Sequence, residues 1–176
     1  MVRVTFVDGS LLARAQHAVD EVLPDGVFVE VLEGMLVVNP PPSLGHGLLT
    51  DRVGRELERL APPGLTVNWA GMGVYEHNSA QAEYQVPDVV VFRSPGPGAA
   101  RLLGTDVEAV VEVISPANRR QGDYAAAVAA RAARYRISWA LVIDPDARSM
   151  SWFRNGDRSP VGADWVASPD ATVLFG

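Results

Sequence analysis

Residues 86–92 read VPDVVVF, and residues 108–145 read EAVVEVISPANRRQGDYAAAVAARAARYRISWALVIDP. Two apolar strands are legible here, and each carries one carboxylate where a carboxylate is costly: Asp88 opens the first and Glu112 interrupts the second. Acidic side chains are rarely fully buried unless paired or bound to a cation, so two of them on neighbouring core strands call for a compensating charge. A divalent metal is the compensation we favour. The succession of strand, helix and strand from Val107 to Ile143 predicts a βαβ crossover, whereas the flanking segments predict antiparallel hairpins. The expected fold class is therefore α/β (α+β), a mixed central sheet with helices packed around it.

Working outward, Ser10, Leu11, Leu12, Ala15, Ala18, Val19 and Val22 predict a capped helix stopped by Pro24 and Gly26. FVEVLEGMLVVNPPP breaks at Glu33-Gly34 and predicts a hairpin, with Glu30 inside its first strand. Ser43 caps a second predicted helix, whose stripe is Leu44, Leu48, Val53, Leu57 and Leu60. LTVNWAGMGVYEHN reads as a bent or bulged strand or a hairpin, and SPGPGAARLLG as a surface loop. Asn155-Gly156 marks a tight hairpin, and the last residues predict short closing strands.

Composition bounds the function. With 176 residues and 48% of them hydrophobic, one domain spanning 1–176 is expected. The absence of cysteine excludes disulfides, thiolate metal sites and a cysteine nucleophile, and fits a reducing cytoplasm. No run of about 18 apolar residues or secretory leader is present, so a soluble cytoplasmic protein is expected. A net charge of −6 argues against loose binding to nucleic acid over the whole surface. The charge is uneven, however: Arg119, Arg120, Arg131, Arg134 and Arg136 follow the Glu112 strand against one acid, Asp123. Every basic side chain of the Lys/Arg type is arginine, because the chain contains no lysine.

The run GMLVVNPPPSLGH, helix, PDVVVF, VVEVISP, a helix with Asp123, and WALVIDP resembles the Uma-type putative restriction endonuclease family, which has the PD-(D/E)XK nuclease fold. The likeness spans about Phe28 to Pro145. It implies a restriction-endonuclease-like, magnesium- or manganese-dependent phosphodiesterase acting on DNA. Asp88 matches the acid of the PD motif and Glu112 the second acid, with the carbonyl of Val113 completing the metal set and Glu30 as a further acid. Arg119, Arg131 and Arg134 are the candidates for substrate phosphate, and a homodimer would suit cleavage of two strands. One departure stands out. The lysine expected two residues after the second acid is Ile114 here, and the helix positions that carry a substitute lysine correspond to Ala127 and Val128. Arginine stays protonated and cannot serve as a base in its place.

Plainer readings stand beside these. Asp88 after Pro87 could simply start a strand; Glu112 could pair with Arg119; His46 reads better as a cap-region residue than a catalytic one; Asp123 could cap its helix. Three functions compete: a metal-dependent DNA endonuclease, a catalytically degenerate nuclease fold that binds nucleic acid or regulates, and a hydrolase of another class using paired carboxylates. The last lacks any motif such as G-x-S-x-G.

Overall fold

A computed structural model describes residues 2–5, 28–32, 35–39, 41–76, 83–96, 98–99, 101–116, 118–159, 165 and 169–175. The helix expected at residues 10–22 and the turn at Glu33-Gly34 lie outside them. The architecture is mixed α/β, with two six-stranded sheets.

The second sheet holds the stretch that decided the fold. Its order is β12 (Asp157–Ser159), β11 (Ser149–Arg154), β10 (Trp139–Asp144), β9 (Val107–Val113), β7 (Val89–Arg93) and β4 (Leu65–Asn68). β9 and β10 run parallel and are joined through helix α2 (Tyr124–Arg134), the expected crossover; every other pairing in this sheet is antiparallel. The near-continuous apolar runs of β7, β9 and β10 follow from burial on both faces. Val89, Val91, Val111, Leu141 and Ile143 pack with Val53 and Leu57 of helix α1 (Leu44–Leu60) on one side. Val90, Val110, Ala140 and Val142 pack with Val128, Ala129 and Ala132 of α2 on the other. Asp123 caps α2, accepting from the Ala126 N–H at 3.1 Å.

The first sheet runs β1 (Val2–Thr5), β3 (Met35–Asn39), β2 (Phe28–Leu32), β6 (Tyr84–Gln85), β5 (Val74–Tyr75) and β8 (Leu102–Leu103). The expected β2–β3 hairpin pairs from Phe28↔Asn39 to Leu32↔Met35. The segment read as one bent strand instead changes sheets: β4 belongs to the second sheet and β5 to the first. Gly71 makes the passage at φ +81°, and a Cβ there would stand 2.3 Å from the Phe28 ring, so both conformation and space demand glycine. The proline-rich loop contains the short strand β8, parallel to β5.

Two further expectations are corrected. Ser43 does cap α1, accepting from the His46 N–H at 3.3 Å, but Leu44 and Leu48 are 80% and 54% exposed and Leu49 is buried in their place. Where closing strands were expected, Ala171–Phe175 form a short helix, α3. Asp170 accepts from both the Thr172 N–H and hydroxyl, which starts the turn, and burial of Leu174 in the α1 core holds it there.

Candidate functional site

The register Val89↔Val111 continues to place residue 88 opposite residue 112, and residues opposed in an antiparallel pair share a face. Asp88 and Glu112 accordingly line one pocket of about 700 Å³, together with Glu30 from the other sheet, His46 from the start of α1, and Tyr124 and Arg131 from α2.

Each acid is held by identifiable donors. Asp88 Oδ2 accepts from the backbone N–H of Val113 at 2.7 Å, and Oδ1 from His46 Nε2 at 2.8 Å. Glu30 accepts from the Val86 N–H at 2.9 Å and from Asn39 Nδ2 at 2.7 Å, so the first sheet is tied to the chain just before the PD dipeptide. Glu112 Oε2 accepts from the Tyr124 hydroxyl at 3.1 Å, and its Oε1 lies 3.6 Å from Arg131 Nη2.

The electrostatics are unbalanced. Burial, then the charge of Asp88, then that of Glu30 push the Glu112 carboxyl up to about 8, against the opposing pull of Arg131 and the Tyr124 hydrogen bond. Burial and Glu112 likewise hold the Tyr124 hydroxyl well above its ordinary range, so it remains a donor. The hydrogen bond to Asp88 raises His46 against its burial. Arg131 Nε is buried without a hydrogen-bond partner.

The remaining sequence candidates are placed elsewhere or play other parts. Arg119 makes a two-pronged bridge to Asp144, at 2.7 and 2.9 Å, and reaches Asp146 at 3.1 Å. Arg134 binds Glu83 at 2.7 Å and approaches Glu76 at 3.7 Å. Of the three arginines proposed for phosphate, only Arg131 lines this pocket itself, 3.6 Å from Glu112; Arg119 meets its rim through Asp146. Val113 lines the pocket and meets Asp88 through its N–H. Tyr124 and Asn39 were not foreseen. A helical spacing of seven puts Tyr124 and Arg131 on one stripe, which is a signal readable only once the helix face is known.

Oxygen donors of this kind suit a hard divalent cation, which needs only one or two carboxylates and completes its shell with water and phosphate. Among the described residues no three His, Asp or Glu side chains are grouped closely enough to grip one ion by themselves. What favours a fit is the donor set itself: Asp88, Glu30 and Glu112 line one pocket with a single guanidinium, Arg131, 3.6 Å from Glu112, and a cation would relieve the repulsion among the carboxylates that adds to burial in raising Glu112.

A family model described as a putative restriction endonuclease, Uma2, matches residues 16–174. No curated protein matches. A crystal structure of a putative nuclease belonging to DUF820 from Anabaena variabilis is similar with a TM-score of 0.68 at 16% identity, covering 88% of this chain and 93% of that one. No helix among the described residues is long and apolar enough to cross a membrane.

Proposed function

The chain belongs to the Uma2 putative restriction endonuclease family, and from that premise we propose that it hydrolyses DNA phosphodiester bonds in the pocket of Asp88 and Glu112, as one cytoplasmic domain. The observation that carries the reading is that these two acids line one pocket together with Glu30, while Arg131, 3.6 Å from Glu112, leaves it undercompensated. Asp88 and Glu112 would hold a magnesium or manganese ion, with the Val113 carbonyl as a further donor. Such an ion, when bound, acidifies a water and neutralises charge on the phosphorus oxygens.

The chain's own groups have separate tasks. The Val113 N–H and His46 fix the Asp88 carboxylate from two sides, so it presents its free lone pairs in one direction. Tyr124, remaining protonated, orients Glu112 by hydrogen bonding. Arg131, which lines the pocket, is the guanidinium available to a phosphate oxygen. The chain has no lysine to serve as the base, which leaves proton removal to water or to substrate phosphate and predicts slow turnover. That same absence supports the second reading, a nuclease fold retained for binding DNA.

Supercoiled plasmid with magnesium or manganese distinguishes them. Nicking that falls by about 100-fold or more in both Asp88→Ala and Glu112→Ala is expected. Equal nicking by those variants would refute the assignment, and retention of DNA without nicking by the wild type would leave the binding reading.

A further inference from the structure

The lining of the pocket is of two kinds. β2 turns Phe28, Glu30 and Leu32 into it as alternate residues of one face, and Val37, Pro41 and Leu49 add more carbon. A site meant only to grip phosphates on the outside of a duplex has no use for such a surface, whereas the face of a nucleobase does. Phe28 supplies the ring of that surface, packed against the backbone at Gly71.

Depth points the same way. Glu30 and Glu112 are only 8% and 7% exposed, inside a cavity of about 700 Å³, the size that encloses a small organic molecule. A phosphate in an intact duplex is flanked by its neighbours and the complementary strand, and cannot descend to such groups unless its nucleotide leaves the stack. Nor is a cationic track for a duplex formed by the arginines described around the pocket. Arg119 is taken up by Asp144 and Asp146, and Arg134 by Glu83.

Resting on the nuclease reading, we propose that the pocket receives one unpaired nucleotide of a DNA strand. The base lies against Phe28 and the carbon wall, and its phosphate meets Arg131, with the acids acting on it only through the cation they would hold. Single-stranded DNA, ends, flaps and the transiently unpaired tracts of a supercoiled plasmid are then the substrate class, and a relaxed, fully paired duplex is excluded.

The test compares a fluorescent, nuclease-resistant phosphorothioate strand with the same strand in a blunt duplex, by anisotropy in magnesium. The single strand is expected to bind at least ~10-fold more tightly, and Phe28→Ala to remove about 10-fold of that affinity. Should Phe28→Ala fail to fold, Pro41→Asp on the exposed rim places a charge on the same wall and weakens the strand likewise. Equal or tighter duplex binding overturns the proposal, as does single-strand binding indifferent to the wall variants. Selective strand binding without any nicking would remove catalysis and keep this occupant. Nicking without strand preference would do the reverse.

Discussion

Replacing Glu112 with glutamine should make the metal-free protein more stable at alkaline pH. In the folded chain, burial and the charges of Asp88 and Glu30 carry this carboxyl from 4.5 to about 8. At roughly 1.4 kcal/mol per pH unit, that rise sets a ceiling of roughly 5 kcal/mol on the penalty carried by the ionised folded state. The folded protein holds this proton more tightly than the unfolded one. The penalty is therefore absent below about pH 4.5, grows as pH rises, and is complete above about pH 8. Glutamine keeps the shape and an oxygen for Tyr124, and gives up only the attraction to Arg131 at 3.6 Å. Water reaching the open pocket discounts the ceiling, so a gain of about 2 kcal/mol near pH 9 and almost none near pH 4.5 is expected. Urea unfolding in EDTA across that range measures it. His46, raised by Asp88, contributes stability that is present at acid pH and is lost as pH rises through its folded value. Subtracting the two proteins' curves largely removes that contribution. A glutamine variant no more stable than wild type near pH 9 would refute the reasoning, because Arg131 would then already satisfy Glu112 without a cation.

Two other outcomes follow from the same geometry. Because a cation must displace the Glu112 proton, the apparent magnesium or manganese affinity, measured calorimetrically, should rise by about tenfold per pH unit toward pH 8 and level off above it; a flat profile would remove Glu112 from the ligand set. Gly104→Ala should cost about 2–3 kcal/mol in urea unfolding, because its Cβ would stand 1.9 Å from the Tyr135 carbonyl oxygen, a backbone atom that cannot swing aside. An undiminished midpoint would mean that the β8 end and the C-terminus of α2 do not approach this closely.

Asp88 and Glu112 could be singled out in the sequence because a charge inside an apolar run is a local anomaly with a physical cost. The turn at Asn155-Gly156 was legible for a similar reason: its φ values of 51° and 91° suit few other residues. What escaped depends on contacts between distant residues. Nothing local distinguishes His46 as the partner of Asp88, 42 positions away, and Tyr124 reads as one more residue of an alanine-rich helix. Leu44 and Leu48 continue an apolar period that the core stops using, because burial on α1 shifts to Leu49. The passage between sheets at Gly71 was mistaken for a bend since periodicity records which residues alternate, and not which sheet receives them.

Glu30 reaches the pocket from one sheet and Asp88 and Glu112 from the other, with the Val86 N–H bonded to Glu30 where the two meet. The site is thus a seam, and its geometry is only as firm as the docking of the halves it joins. Substitutions far from any acid that loosen this stitch are therefore expected to silence the protein.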